Sequence, residues 1–214
     1  MGVPCPIQAR ADVRAQAARV RLPAVGAAAT LGRMKPPDPQ SQLLEAVAFA
    51  AEKHRHQRRK DADASPYINH PIALAILLKR EGVDDVAVLC AALLHDTIED
   101  TTTTPDELRA HFGDVVTDIV LEVSDDKTLA TAQRKLLQVQ HAGTASHRAQ
   151  LVKLADKICN VHDMVAAPPA DWSVGRKRDY LRWAKDVVDG LRGAHPRLEA
   201  IFDEVHAKGV QALG

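Results

Sequence analysis

The segment Leu94–Asp100 holds the densest group of residues that could do chemistry. His95 and Asp96 directly follow an apolar run, and Glu99 and Asp100 come three and four residues after Asp96. On a helix these positions share one side, so three carboxylates and an imidazole would crowd together. Acids at a helix C-terminus also oppose the macrodipole. A bound cation would relieve both problems, and the alternative is a solvated helix end.

Two other segments offer further ligand atoms for such a cation. His70 stands at the entrance of an apolar helix, although a lone histidine there is more often a capping or core residue. Asp156 lies inside the apolar stretch Leu151–Asn160. An acid at such a position needs a partner, because burying an unpaired charge is costly. That partner is either a metal ion or one of the neighbouring lysines, Lys153 and Lys157.

Together, His70, His95, Asp96 and Asp156 supply two nitrogen and two oxygen donors. The set contains no thiolate, which disfavours a tetrahedral structural zinc site. Mixed histidine and carboxylate ligation, with positions left for water, suits Mn²⁺, Fe²⁺ or a similar octahedral ion. Such an ion can lower the pKa of a bound water and polarise a phosphoryl oxygen.

The elements that must position these residues are helical. Apolar residues recur every three or four positions from Gln40 onward, and aromatic residues make up only 3% of the chain. Pro71 and Asp84-Asp85 mark helix starts, Gly82 marks a stop, and Thr104–Glu107 has the form of a capping box. Further helices are predicted at about 115–123, 131–141, 147–165, 173–191 and 196–207. The sequence therefore predicts a single all-α helical bundle.

Composition and charge exclude several classes of protein. The 214 residues include 28 basic and 28 acidic side chains, so the formal net charge is zero, which argues against a nucleic-acid binder. Three distant cysteines, Cys5, Cys90 and Cys159, form neither a disulfide framework nor a cysteine zinc site and favour a reducing compartment. No apolar run reaches the roughly 18 residues that span a membrane. We therefore expect a cytoplasmic protein without membrane or nucleic-acid partners.

Residues 1–39 differ from the rest of the chain. They carry a net charge of +4 against −4 for the remainder, and the proline-rich segment Lys35–Pro39 breaks any helix. An Arg- and Ala-rich start resembles an organellar transit peptide. Scarce Ser and Thr favour instead a disordered extension or a mis-assigned start, with Met34 as the true one. We predict such an extension at 1–39 and one domain at 40–214.

The motifs occur in an order that resembles the H…HD…D signature of the HD phosphohydrolase superfamily. The likeness is closer to the hydrolase half of RelA/SpoT proteins, and above all to the small alarmone hydrolases, also called metazoan SpoT homologues. The segments that carry it are His54-x-x-Gln57-x-Arg59-Lys60, Pro66–Pro71, Leu94–Asp100 and Lys153–Lys157. The resemblance covers about residues 41–208, and the combination of motifs is highly specific.

The resemblance implies a role for each matching residue. His70, His95, Asp96 and Asp156 match the Mn²⁺ ligands. Glu99 and Asp100 match the acidic pair that orients and activates the attacking water. The residues that match substrate contacts are Arg59 and Lys60 at the guanine base, Asn160 at the ribose, Lys127 near a phosphate, and Arg176 and Tyr180 at the nucleotide's phosphates.

The implied reaction is Mn²⁺-dependent hydrolysis of guanosine 3′,5′-bis(diphosphate), ppGpp, to GDP and pyrophosphate, as in the stringent response. One alternative is a phosphohydrolase for another nucleotide, such as the 2′-phosphate of NADPH. Another is an HD module that binds nucleotide without turnover, although Glu99 and Asp100 argue against it. The length leaves no room for a synthetase domain, and a homo-oligomer stays open.

Two positions depart from the family pattern. The family often has a glycine before the Pro-Tyr pair, where Asp63-Ala64-Ser65 stands here, so the loop after Lys60 is expected to differ in shape. Cys159 stands where close relatives often carry an aromatic residue, which is expected to alter the packing beside Asn160.

Overall fold

The computed structural model describes residues 38–169 and 171–214, which form helices joined by short connections. The helices are α1 (Pro39–Lys53), α2 (Asn69–Arg80), α3 (Val86–Leu94), α4 (Thr97–Asp100), α5 (Pro105–Val123), α6 (Thr131–His141), α7 (His147–Ala166), α8 (Val174–Asp189) and α9 (Pro196–Leu213). The β-structure of these two ranges is one isolated antiparallel bridge between Arg58 and Pro66. The predicted all-α fold is confirmed. The predicted extension lies outside the described residues, apart from Asp38 and Pro39.

The helix starts follow the signals in the sequence. Asp85 accepts a hydrogen bond from the Ala87 N–H at 2.9 Å, and Thr104 accepts one from the Glu107 N–H at 3.1 Å. These bonds satisfy N–H groups that have no partner within the helix. The Glu107 carboxylate does not complete the capping box, because it accepts a hydrogen bond from Lys53 at 2.7 Å.

Helix α5 joins two predicted features into one element. The signals predict a start at Thr104 and a separate helix at about 115–123, whereas α5 runs from Pro105 to Val123 with a break at Gly113. Gly113 has a φ of 77°, a region that glycine enters without the strain that a Cβ would cause. The break lets Leu108 and Val116 both face the core, where they are fully or almost fully buried.

Two central helices hold the core and carry the candidate site. Every residue of α3 from Val88 to Leu94 is buried, and α7 buries eleven residues against its neighbours. Each buried aliphatic side chain contributes roughly 1.5–3 kcal/mol, so both helices are firmly held. His95 directly follows α3 and Asp156 lies at the middle of α7. No described helix is both long and apolar enough to cross a membrane.

Candidate active site

Three of the four predicted metal ligands converge where α2, α3 and α7 meet. His70 lies in the first turn of α2, His95 at the end of α3 and Asp156 within α7. His70 Nε2 is 3.2 Å from Asp156 Oδ1, and His95 Nε2 is 3.9 Å from the same oxygen. One donor atom from each residue lies within 4.8 Å of the others, a spacing that a single cation can bridge.

Asp96, the fourth predicted ligand, lies beside this triad rather than within it. Its Oδ2 is 2.9 Å from His95 Nε2 and also accepts a hydrogen bond from the Tyr67 hydroxyl. The structure thus brings Asp96 next to one member of the triad, with Tyr67 fixing its orientation. Its role as a ligand stays a prediction.

The donor atoms fit a divalent cation. The His95 Nδ1–H donates to the Ala92 carbonyl at 2.9 Å, so in the neutral ring Nε2 presents its lone pair to the cluster. His95 Nε2 and His70 Nδ1 are buried, and neither makes a hydrogen bond of regular geometry among the described residues, although Asp96 Oδ2 lies 2.9 Å from His95 Nε2. Buried polar atoms are rarely left unpaired, and coordination would satisfy His95 Nε2.

The electrostatics of the triad also suit a cation. Burial lowers the pKa of His70. Burial opposes charge on His95 as well, but the carboxylates of Asp96 and Asp156 outweigh it and raise its pKa to about 9. Although burial alone would raise it, Lys157 and His70 hold the pKa of Asp156 well below its usual range. A metal ion would therefore bind ionised acids and displace the proton of His95.

Glu99 lies on α4, one turn beyond Asp96, and is held from two sides. Its Oε2 accepts a hydrogen bond from the Asp125 N–H at 3.0 Å. Its Oε1 is 3.4 Å from Lys127 Nζ and 3.5 Å from Arg134 Nη1. Burial raises the pKa of Glu99, which makes its carboxylate a stronger base than an exposed one.

Asp100, the other member of the acidic pair, has a partner on each oxygen. Gln57 Nε2 donates to Oδ2 at 2.8 Å, and Lys127 Nζ donates to Oδ1. The Gln57 amide is itself oriented by buried His54, whose Nδ1 lies 2.6 Å from Gln57 Oε1. A chain of hydrogen bonds therefore fixes the direction of the Asp100 carboxylate.

Three cavities surround the triad and the acidic pair. The central cavity, of 240 Å³, contains His70, His95, Asp156 and the acidic pair in its wall. The loop cavity, of 560 Å³, lies along residues 57–61, and the aromatic cavity, of 380 Å³, lies between α6 and α8. Asn160 lines all three, so the cavities meet at this side chain.

The loop cavity contains the pair predicted to contact a base. Arg59 donates to Asn160 at 3.2 Å and to Asp163 at 2.7 Å, while exposed Lys60 lies further along the wall. The Arg59 guanidinium also lies 5.7 Å from the centre of the Tyr67 ring. Bound in this way, its plane is fixed, as stacking on a nucleobase requires.

The loop after Lys60 forms a tight turn without glycine. Asp61 Oδ1 accepts hydrogen bonds from the N–H groups of Asp63 and Ser65. Ala64 has a φ of 48°, in the left-handed region that favours glycine. The departure noted in the sequence thus places a strained alanine at the turn.

The aromatic cavity combines rings with cations. Its aromatic wall consists of Trp172, Tyr180 and Trp183. The guanidinium of Arg176 lies 4.3 Å from the centre of the Trp172 ring, and Lys135 Nζ lies 4.8 Å from that of Trp183. Burial raises the pKa of Tyr180, so its hydroxyl stays protonated. The predicted pair Arg176 and Tyr180 therefore lies here, one turn apart on α8.

Several residues of the site were not predicted, and they include Asp125, Arg134, Lys135, Lys153, Trp172 and Trp183. One signal was available, because the chain contains only two tryptophans and both line the aromatic cavity. Another was the placing of Lys153 and Lys157, two charges within an apolar helix. From the sequence these lysines were expected only as partners for Asp156, and Lys157 does donate a hydrogen bond to Asp156 Oδ2 at 3.0 Å.

Comparisons with known proteins agree with this geometry. The family model described as an HD domain matches residues 46–181. Guanosine-3′,5′-bis(diphosphate) 3′-pyrophosphohydrolase MESH1 of Homo sapiens is 54% identical over 160 residues, which is 74% of this chain and 89% of that protein. MESH1 of Xenopus tropicalis is 53% identical over 164 residues, 76% of this chain and 92% of that one.

Solved structures show the same fold. A metazoan orthologue of SpoT, described as hydrolysing ppGpp and playing a role in starvation responses, superposes with a TM-score of 0.76 at 43% identity, covering 80% of this chain and 96% of that one. The protein lmo0812 from Listeria monocytogenes EGD-e gives a TM-score of 0.57 at 28% identity, with 70% and 98% of the two chains covered.

Proposed function

The chain belongs to the HD-domain family and, within it, to the MESH1 pyrophosphohydrolases, and we infer from this that it hydrolyses ppGpp to GDP and pyrophosphate. It is therefore an enzyme, a phosphoric ester hydrolase with a small nucleotide as its substrate. The inference is supported by relatives of this named activity at 53–54% identity and by a ppGpp-hydrolysing structural neighbour.

One observation carries the assignment, namely that three cavities diverge from Asn160. In ppGpp the guanine base, the 3′-diphosphate and the 5′-diphosphate likewise diverge from one ribose. We place the ribose at Asn160, the base in the loop cavity beside Arg59 and Lys60, and the 3′-diphosphate in the central cavity. The 5′-diphosphate then reaches the aromatic cavity, where Arg176 and Tyr180 lie.

The metal is proposed to be Mn²⁺, held by His70, His95, Asp96 and Asp156. A divalent cation at this site supplies Lewis-acid chemistry, which lowers the pKa of water and polarises a phosphoryl oxygen. Histidine and carboxylate donors without thiolate support Mn²⁺ over structural zinc. The protein's own contribution is orientation, through the Ala92 carbonyl at His95 and the Tyr67 hydroxyl at Asp96.

The acidic pair, Glu99 and Asp100, activates and positions the attacking water. Glu99 is suited to accept the proton of the water, because burial raises the pKa of its carboxyl. Asp100, fixed by Gln57 and Lys127, is suited to hold the water in line with the 3′-phosphorus. Lys127 contacts both acids, which supports its proposed role beside the phosphate that reacts.

Equal amounts of enzyme and Mn²⁺ with ppGpp or NADPH as substrate test the assignment. We expect one GDP and one pyrophosphate from each ppGpp, at a rate well above that of phosphate release from NADPH. Faster release from NADPH would favour the alternative substrate. Tight binding of ppGpp without any product would indicate a binding module.

We also propose a cytoplasmic location. Cys90 and Cys159 are free and buried, and burial raises their pKa values to about 11 and about 12. Because these two thiols form no disulfide, they do not require an oxidising compartment. Cell fractionation that recovers the protein from an organelle would contradict the proposal and would favour the transit-peptide interpretation of residues 1–39.

A further inference from the structure

A buried cation without a partner faces the central cavity. Lys153 lies on α7 one turn before Asp156, and only 8% of the residue is exposed. Its side chain lines the central cavity. In the part of the chain that the structure describes, its ammonium makes no hydrogen bond, and no carboxylate oxygen lies within 4.0 Å of it.

Lys157, the next lysine on the same helix, shows how the fold compensates a buried ammonium. It is 4% exposed, its Nζ lies 3.0 Å from Asp156 Oδ2, and it also lies 4.4 Å from the centre of the Trp183 ring. An ion pair and a cation–π contact together offset the loss of hydration. Lys153 has neither contact.

A largely buried charge without a direct partner destabilises a fold. Burying an ammonium without a partner is costly, or forces the group to lose its proton. Burial and repulsion from Lys157 lower the pKa of Lys153, and the more distant carboxylates of Asp125, Asp156 and Glu99 offset this only in part. A methionine of similar length would fill the position without this penalty, so packing does not explain why a lysine stands here.

The position of Lys153 supplies an explanation. On a helix, residues three apart share one side, so Lys153 faces the same cavity as Asp156. That cavity also holds Glu99 and is where the 3′-diphosphate is placed. An anionic phosphoryl group there would provide the partner that the protein alone does not.

We propose that Lys153 is a further catalytic residue, which binds a non-bridging oxygen of the phosphoryl group under attack. The proposal rests on the proposed function. The water oxygen forms a bond to the phosphorus attached to the ribose 3′-oxygen, and the bond between that phosphorus and the 3′-oxygen breaks. The bonding pair goes to the 3′-oxygen, which accepts a proton from the acidic pair and becomes the hydroxyl of GDP, while pyrophosphate leaves with the water oxygen. The acidic pair takes up the proton of the water, and Lys153 offsets the charge on the phosphoryl oxygens.

The test compares Lys153→Met with Lys157→Met in the full-length protein, measuring Tm, the Tm shift on adding Mn²⁺, kcat and KM for ppGpp. For Lys153→Met we expect an equal or higher Tm, a retained Mn²⁺ shift and a kcat lower by about 10²–10³-fold, the usual effect of removing one preorganised charge donor. Lys157→Met should lower Tm, because it leaves Asp156 without its cation. The exposed Lys208→Met serves as the control for unchanged kcat and Tm.

Two results would overturn the proposal. A lower Tm in Lys153→Met, with kcat restored per folded molecule, would show a structural role. An unchanged Tm with kcat within about twofold of wild type would show no role at all, since transition-state contacts are worth far more. Partial recovery in Lys153→Arg would support it, because the charge is kept. If the wild type itself releases no pyrophosphate, the proposed function fails, which is a separate outcome from an active Lys153→Met variant.

Discussion

The central cavity and the aromatic cavity hold their charges in opposite ways. In the central cavity every acid of the site is engaged by fixed groups of the protein: Asp96 by Tyr67, Asp156 by Lys157 and His70, Glu99 by the Asp125 N–H, and Asp100 by Gln57 and Lys127. In the aromatic cavity Arg176 and Lys135 lie on ring faces, and the described residues provide neither with an acid partner.

This difference suggests a division of tasks between the two cavities. Groups held by several hydrogen bonds are preorganised, which lowers the barrier of a chemical step. Cations stacked on rings keep their N–H groups available for an anionic ligand. Changes in the central cavity should therefore lower kcat, whereas changes in the aromatic cavity should raise KM.

The largest effect is expected at the triad. His95→Gln removes a nitrogen donor while keeping a polar side chain of similar size. We expect kcat to fall by about 10³-fold or more, since metal-based charge stabilisation is worth several kcal/mol. The rise in Tm on adding Mn²⁺ should also be lost, because ligand binding to the folded state stabilises it by roughly 2.7 kcal/mol at a hundredfold excess over Kd. A Tm shift with Mn²⁺ as large as that of the wild type would show that His95 is not a metal ligand.

Glu99→Gln separates proton transfer from metal binding. We expect kcat to fall by roughly 10²-fold, the usual contribution of a general base, because the amide cannot accept the proton of the water. The Tm shift with Mn²⁺ should stay as in the wild type. Near-normal turnover with metal bound would reject Glu99 as the base.

Gln57→Met tests whether the orientation of Asp100 matters. The change removes the hydrogen bond to Asp100 but leaves the carboxylate and its charge in place. We expect a decrease in kcat of about 10-fold to 100-fold, as for other residues that orient a reacting group, with little change in KM. Gln211→Met, at an exposed position of α9, is the matched control and should behave as the wild type.

Arg176→Met tests the other side of the comparison. Loss of one charge-assisted bond to a phosphate is expected to raise KM for ppGpp by about tenfold, since the residue is exposed and screened by solvent. The change should leave kcat within about twofold, because Arg176 belongs to the aromatic cavity and not to the reacting centre. A large loss of kcat at unchanged KM would contradict the proposed division of tasks between the two cavities.

The smallest effect is expected in the turn beside the loop cavity, at Ala64, whose side chain has no chemical role. Ala64 adopts a left-handed φ that costs an L-residue roughly 1–2 kcal/mol, so Ala64→Gly should stabilise the protein by about 1 kcal/mol or less once the greater flexibility of glycine is counted. The neighbouring Ala62→Gly should instead destabilise slightly, because no positive φ is relieved there. Equal Tm changes in the two variants would argue against strain at Ala64.

The sequence predicts well what depends on local pattern. Helix α7 was expected at about 147–165 and is observed at His147–Ala166, because its apolar periodicity and its Ser146 cap are local signals. The triad of His70, His95 and Asp156 was predicted from motifs that a resemblance to a known family joined together, and the structure brings those atoms together.

The sequence predicts poorly what depends on how helices pack. The aromatic cavity needs α6 beside α8, so that Lys135 meets Trp183, and no periodicity in either helix specifies that contact. The Glu107 side chain follows the capping pattern but bonds to Lys53, 54 residues away, because a distant cation competes with the backbone. The meeting of the three cavities at Asn160 likewise depends on how the helices pack, so the sequence does not predict it.

The measurement that tests the central claim most directly is pyrophosphate release from ppGpp by the full-length protein during a Mn²⁺ titration that starts in EDTA. We predict no release in EDTA, a saturable rise with Mn²⁺, and one GDP formed for each pyrophosphate. Release that is insensitive to EDTA, or the absence of pyrophosphate at saturating Mn²⁺, would contradict it.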